Sequence, residues 1–320
     1  MSDQKKSGWV AIGDLGTNTF HLLVAKMEHG KIVVGLRKKI GVKIGKGSME
    51  NREISTSAIQ RAIVALNSFG EEIKPFGLAP SDCNTLGTSA FRNAENRNEV
   101  LDFIRTETGF NVRILSGDEE ANMIFNGVCR SGAILEQKTN LLIDIGGGSV
   151  EFILSKGLTQ IWRQSFEIGG QRLIEKFHHS DPISQIEIFE LQSFIKIELA
   201  ALFLEMANWK PEVLVGCSGA FDTLVELEQG LKGIILPDVE SSPFYNLSIE
   251  AFQILKEKII RSSLSERLKM KGMIPLRAEM IVVAVLLIEC VLNKMVNPQI
   301  RTSTFALKEG YFFEYHENQS

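Results

Sequence analysis

No stretch of this 320-residue chain is apolar for long enough to cross a bilayer. The longest apolar run, Met280–Leu292, is about 13 residues and holds Glu289; a spanning helix needs ~20, so the run reads as a buried helix. The opening residues M-S-D-Q-K-K-S-G contain no apolar segment of the secretory kind, so a cytoplasmic location with no membrane partner is expected. Cysteine is scarce. Cys83, Cys129, Cys217 and Cys290 lie far apart with no C-x-x-C pair, which argues against a disulfide framework or a zinc site. An excess of one charge is also missing. A net charge of −4 gives no field favouring nucleic acid, so a polyanionic substrate would need a local basic patch. Arg37, Lys38, Lys39, Lys43 and Lys46 could form one, although a solvated edge strand explains them equally well. Low-complexity tracts are absent, and with 44% apolar and 23% charged residues the length suits about two globular domains.

What the chain does have is a near-repeat. Residues 14–25 read D-L-G-T-N-T-F-H-L-L-V-A, and residues 144–155 read D-I-G-G-G-S-V-E-F-I-L-S. Asp14 matches Asp144, Gly16 matches Gly146, Thr19 matches Ser149, and an apolar strand follows each turn. The surrounding patterns match too. Trp9–Ile12, Phe20–Met27 and Lys31–Lys39 predict a three-strand antiparallel meander, and Asn140–Asp144, Val150–Ser155 and Thr159–Phe166 predict a second. Helices are expected at Ser55–Phe69, Asn98–Thr108, Glu119–Cys129, Ser184–Met206, Ile249–Arg261, Ser265–Lys269, Ala278–Met295 and Lys308–Tyr315. Single strands are expected at Asn84–Thr88, Asn111–Leu115 and Glu212–Cys217. Residues 230–246 read as a loop or lid. Periodicity fades over 126–138, which places a domain boundary there, with hinge motion open to it.

The repeated turns suit phosphate. Gly146, Gly147 and Gly148 have no Cβ to hold a phosphate away and tolerate positive φ, so their N–H groups can cradle its oxygens. The hydroxyls of Thr17, Thr19 and Ser149 and the amide of Asn18 add donors. Asp14 and Asp144 would repel phosphate directly, but make sense as holders of Mg²⁺ or of its waters. Two ligand-free hairpins are the plain alternative, made less attractive by the duplication. Thr88 and Arg92 follow a strand and can reach a site, with Arg92 suited to bidentate phosphate contact; a solvated helix start accounts for Arg92 as well. In Ser116-Gly117-Asp118-Glu119-Glu120-Ala121, Ser116 and Glu119 fit a capping box. One glutamate suffices for the cap, leaving the second for a general base that activates water, with its pKa raised by nearby phosphate. Glu151, just past the glycine turn, is a second candidate for placing water or metal.

Taken together, these residues resemble the exopolyphosphatase/guanosine pentaphosphate phosphatase (Ppx/GppA) family of the sugar kinase–Hsp70–actin superfamily. The likeness is carried by D-x-G-[ST]-N-[ST]-F at Asp14–Phe20, T-x-A-x-R at Thr88–Arg92, S-G-x-E-E-A at Ser116–Ala121, D-I-G-G-G-S-x-E at Asp144–Glu151 and G-x-S-G at Gly216–Gly219. It implies an α/β fold of two ribonuclease H-like (actin-like ATPase) domains around a central cleft. Residues 1–128 would form the first domain, with a C-terminal helix at 306–320 packing back on it, and residues 129–305 the second. It implies Glu120 as catalytic base with Glu151 assisting, and Asp14 and Asp144 around Mg²⁺, with Mn²⁺ as an alternative ion. Asn18, Arg92, Gly146–Ser149, Ser218 and Gly219 would hold phosphate groups.

The expected activity is release of orthophosphate from the ends of inorganic polyphosphate. Hydrolysis of the 5′-phosphate of guanosine pentaphosphate is the alternative, tied to the stringent response, and a homodimer is a candidate assembly. The chain departs from the family pattern at Val150 (usually Thr), Ala220-Phe221 (Thr often follows Ser-Gly), and Lys43 and Lys308 (commonly Arg). A lost hydroxyl removes a neutral hydrogen bond of about 0.5–1.5 kcal/mol, enough to tune a rate. The chain also stops soon after Tyr311, without the further helical domains of long family members, so lower processivity is expected. Val150 and Ala220 motivate one other reading, a phosphate- or nucleotide-sensing module without turnover. A sugar or acetate kinase is disfavoured by the short length and by S-G-D-E-E-A.

Overall fold

A computed structural model describes residues 8–45, 52–234 and 242–319. Among the described residues, no helix is long and apolar enough to cross a membrane. The chain divides into two compact units: Met1–Glu120 with Leu307–Ser320, and Ala121–Ala306.

The first unit is built on a five-stranded sheet. Val10–Leu15 (β1), Thr19–Glu28 (β2) and Lys31–Gly41 (β3) form the anticipated antiparallel meander. Thr56–Ile73 (α1) follows, with Ser55 Oγ accepting from the Ala58 amide as its N-cap. Asn84–Gly87 (β4) returns parallel to β1, and Ser89–Asn93 (α2) and Arg97–Thr108 (α3) come next. Gly109 ends α3 in the left-handed conformation at φ 75°, its N–H donating to the Arg105 carbonyl. Val112–Ile114 (β5) completes the order β3-β2-β1-β4-β5. Helix α2 was not anticipated, because five residues are too few to show a helical period. Gly117–Ser131 (α4) then leads out of the unit.

The second unit repeats this plan. Thr139–Ile145 (β6), Val150–Lys156 (β7) and Thr159–Phe166 (β8) are the second meander. Then come Gly170–Phe177 (α5), Gln185–Glu198 (α6), Ala200–Trp209 (α7), Val213–Cys217 (β9) and Gly219–Leu231 (α8). Phe244–Leu247 (β10), Ile249–Arg261 (α9), Leu264–Arg267 (α10), Ile281–Leu292 (α11) and Gln299–Ser303 (β11) complete it. The sheet order is β10-β11-β9-β6-β7-β8. Set β10 aside and both sheets share one arrangement: a meander, then two parallel strands added beside its first strand. That is the ribonuclease H-like order. Strands β6 and β9 are buried almost throughout because both faces of the sheet are covered. The apolar run anticipated as a buried helix is α11, packed against α5, α6, α8 and α9.

Several expectations need correction. The helix expected at Ala278–Met295 spans only Ile281–Leu292, and the strand that follows it was not anticipated. Gln299–Ser303 is a strand inside the sheet, hidden in the sequence by its polar residues Gln299, Arg301, Thr302 and Ser303. Buried Arg301 is satisfied there by the Ala133 carbonyl (2.8 Å) and by Asn246 Oδ1 (3.2 Å), and it stacks on Phe244. The single helix expected over Ser184–Met206 breaks at Leu199 (φ −90°, ψ 16°), a break that leaves Ile195, Leu199 and Leu202 all buried. Helices α5 and α8 had no counterpart in the sequence reading. Of the loop or lid at 230–246, residues 235–241 lie outside the described residues and Phe244–Leu247 is strand. Helix α4 runs on to Ser131, and the two compact units divide within it, at Glu120/Ala121.

Leu307–Glu317 (α12) belongs to the first unit and packs against β1 and β2. Its contacts join apolar and polar anchors. Phe312 is fully buried, Tyr311 Oη donates to Asn84 Oδ1 at 2.9 Å, and buried Glu309 faces Arg37 at 3.8 Å. Replacing Phe312 by alanine is expected to cost about 3–5 kcal/mol of stability, the usual range for a buried aromatic truncated to a cavity. Denaturant titration with a probe in the first unit would measure it.

Candidate active site

The two turns of the repeat have the same geometry. Gly16 N–H donates to Thr19 O at 3.1 Å, and Gly146 N–H donates to Ser149 O at 3.0 Å. A Cβ on either glycine would sit 3.0 Å from that same carbonyl oxygen. The glycines are needed for this close approach. Positive φ, which glycine tolerates, occurs at none of Gly146, Gly147 and Gly148.

Each turn is also gripped from behind by the segment that leaves the third strand of its meander. In the first unit, Thr17 O accepts from Gly45 N (3.1 Å), and Asn18 O accepts from Val42 N and Lys43 N (both 2.9 Å). In the second, Gly146 O, Gly147 O and Gly148 O accept from Gly170 N (2.9 Å), Gln171 N (2.8 Å) and Gly169 N (3.1 Å) at the start of α5. In a planar trans peptide the N–H points opposite to the preceding C=O. Holding the carbonyls therefore turns the N–H groups of Asn18 and Thr19, and of Gly147, Gly148 and Ser149, the other way. Among the described residues, Gly147 N–H and Gly148 N–H donate to no protein acceptor. Consecutive N–H groups presented like this form an anion-binding concavity. Thr17, Thr19 and Ser149 are buried beside them, and buried Thr19 Oγ1 has no hydrogen-bond partner.

The sheet register aligns one row of side chains across each unit. In the second unit Ser165, Glu151, Asp144 and Cys217 are successive cross-strand partners, so they share a face. Ser165 Oγ donates to Glu151 Oε1 at 2.7 Å, and Ser218 Oγ donates to Asp144 Oδ2 at 2.8 Å. Both carboxylates are buried, at 1% and 8% exposure, which fixes them as built-in groups rather than solvated surface acids. Burial pushes the Cys217 thiol well above its ordinary range, and the carboxylates of Asp144, Asp222 and Glu151 push it further. In the first unit the same row reads Lys39, His21, Asp14, Leu86. The acid at the end of the first strand is shared, and the Glu151 position is not.

Glu119 and Glu120 divide their work. Glu119 is the cap: its Oε2 accepts from Ser116 N and Ser116 Oγ (both 2.9 Å), and its own N–H donates to Ser116 Oγ. The Ser116 amide, then its hydroxyl, and the paired Arg113 hold the Glu119 carboxyl below the usual carboxylate range. Glu120 is buried at 7% exposure and accepts from Arg92 Nη1 at 2.9 Å. Arg92 Nη1 also donates to Leu115 O at 3.0 Å, so this arginine, assigned to phosphate from the sequence, is engaged with the carboxylate next to it. Thr88 is buried at the start of α2, close to Leu15 O.

Ser218, between β9 and α8, holds φ 66° and ψ −179°, a conformation that is strained for any residue with a Cβ. Gly219 follows, and a Cβ there would overlap the guanidinium of Arg277. Arg277 and buried Asp222 are site-side residues that the sequence reading missed. Arg277 is carried by a short 3₁₀ turn far along the chain, with no motif around it. Val150 and Ala220, the departures from the family pattern, lie in the apolar core of the second unit, so the lost hydroxyls are not missing from the row of acids. The basic cluster is partly structural: Arg37 faces Glu309, and Lys38 binds Glu72 (2.6 Å) and Ser68 (3.0 Å), while Lys46 lies outside the described residues.

The chain matches the model of the Ppx/GppA phosphatase family over residues 23–319. It belongs to that family. It is thus an enzyme, a phosphoanhydride phosphatase. A Haemophilus influenzae protein named as a presumed exopolyphosphatase is 29% identical over 97% of this chain and 92% of its own length. A guanosine-5′-triphosphate,3′-diphosphate pyrophosphatase of Aliivibrio fischeri is 28% identical over 73% of this chain, which spans 47% of that longer protein. A crystal structure of an exopolyphosphatase from Cytophaga hutchinsonii shares 36% identity and a TM-score of 0.92, covering 97% of this chain and 98% of that one. The Aquifex aeolicus family member shares the fold at 22% identity and a TM-score of 0.80, with 98% of both chains covered. In this Ppx/GppA phosphatase a Cβ at Gly169 would collide with the backbone of Gly147 and Gly148. Gly169→Ala is therefore expected to displace the turn and lower phosphatase activity at least about 100-fold with the fold retained, read by phosphate release and circular dichroism. Cys217, buried among carboxylates, is expected to resist iodoacetamide at pH 8 in the native protein and to react after denaturation, read by mass spectrometry of the labelled peptides.

Proposed function

We propose that this phosphatase removes terminal orthophosphate from inorganic polyphosphate. The observation that carries the reading is the pair of turns with matching geometry, each held from behind so that its N–H groups are presented for anionic oxygens. A substrate with a repeating phosphate unit suits a duplicated cradle. In the proposed reaction, water attacks the terminal phosphorus and Glu120 takes its proton. The new P–O bond forms as the bridging P–O bond breaks, giving orthophosphate and a chain one unit shorter. Arg92, itself held by the Leu115 carbonyl, fixes the Glu120 carboxylate in place. Glu151, steadied by Ser165, is the carboxylate of the second unit suited to placing water.

The donor set suits Mg²⁺ of the kind held by one or two carboxylates, waters and substrate phosphate. Asp144 and Asp14 are hard oxygen ligands, and among the described residues no cluster of three or more His, Cys, Asp or Glu forms a cage. Asp144, oriented by Ser218, would hold such an ion, which when bound neutralises charge on the phosphates, and Asp14 is the matching acid of the first unit. Guanosine pentaphosphate is the second reading, favoured by the Aliivibrio fischeri relative, whose name states that activity. The sensing alternative loses its motive, because Val150 and Ala220 face the core.

Glu120→Gln is expected to lower kcat by about 10²–10⁴-fold, the usual contribution of a positioned general base, with KM little changed. Phosphate release from long-chain polyphosphate and from guanosine pentaphosphate, each with Mg²⁺, checks this and ranks the two substrates. Full activity of the variant on both would remove Glu120 from the role.

A further inference from the structure

In each unit one arginine that has no part in the chemistry above bonds either the turn itself or the segment that grips it. In the first unit Arg61, on α1, donates from Nε to Val42 O at 2.7 Å and from Nη2 to Lys43 O at 2.9 Å. Those two residues are the ones whose amides hold Asn18 O, and Lys43 keeps a left-handed φ of 49°. For a residue with a Cβ that conformation costs energy, so something outside the segment must stabilise it. In the second unit Arg172, on α5, donates from Nε to Gly148 O at 2.8 Å, and its Nη2 is paired with Glu167 at 3.0 Å. Arg61 and Arg172 are unrelated in sequence context and sit on different elements. Each meets its turn, or the segment behind that turn, through backbone carbonyls.

We propose that Arg61 and Arg172 are positioning residues, each bracing one phosphate turn so that its N–H groups stay aligned; the inference rests on the reading of these turns as phosphate cradles. A guanidinium is suited to the task because its planar fork can satisfy two acceptors in a fixed geometry, which one ammonium cannot reproduce. The braces act locally. Loss of Arg172 loosens the turn at 146–149 and leaves the turn at 16–19 as it was, and loss of Arg61 does the reverse.

The test compares the full chain with Arg61→Ala, Arg172→Ala and Arg172→Lys. Hydrogen–deuterium exchange followed by mass spectrometry reads peptides covering residues 12–22 and 140–152. Exchange at 140–152 is expected to quicken at least threefold in Arg172→Ala only, and at 12–22 in Arg61→Ala only. Arg172→Lys is expected to restore part of the protection. With polyphosphate, each alanine variant is expected to raise KM about tenfold while kcat stays within threefold, as for lost ground-state phosphate binding. Unchanged exchange at both turns, or equal quickening of both turns by either variant, overturns the proposal, the second result pointing to global loosening. A wild-type protein that releases no phosphate from polyphosphate or guanosine pentaphosphate would instead overturn the functional reading, while the exchange experiment still decides the braces.

Discussion

Everything proposed for this enzyme depends on where the carbonyl groups of two short turns go. A phosphate cradle built from backbone needs several consecutive N–H groups facing one way, and the chain resists that because neighbouring peptides prefer to satisfy themselves locally. Here the carbonyls of Thr17 and Asn18, and of Gly146, Gly147 and Gly148, are taken up by the amides of 42–45 and 169–171. The strand–turn–strand repeat is thus half of a larger unit. The other half is the exit of the third strand, which supplies the donors.

This explains why glycine clusters around the second turn without positive φ. Gly169 and Gly170 must come close to the turn and to Met280, and Gly146 must close onto Ser149. The first turn is gripped by a segment with side chains, Val42 and Lys43, and Lys43 carries the strain in its left-handed backbone. The two units thus reach the same peptide orientation by different local means. They differ again in the row beneath the turns, Glu151 and Ser165 in one and His21 and Lys39 in the other. The turns and the amides that grip them are duplicated; the acidic assembly around Asp144 is not.

The strands of both meanders, the split between Glu119 and Glu120, and the matching turns were legible in the sequence because each depends on residues within a few positions of one another. What escaped depends on distant partners. Strand Gln299–Ser303 has one apolar position in five, and is held by Ala133 and Asn246 far away in the chain. Helix α5 begins G-G-Q-R, which reads as a loop until its amides are seen to bind the turn carbonyls. Arg277 is known only from the space that Gly219 leaves for it. Sequence spacing located the two turns, and packing shows what orients their peptides.

Glycine-selective ¹⁵N labelling and titration with tripolyphosphate read whether the second turn binds phosphate through its backbone. The largest shifts are expected at the amides of Gly147 and Gly148, with the Gly146 amide, bonded to Ser149 O, moving less. Saturable binding that leaves Gly147 and Gly148 unmoved would contradict this binding mode.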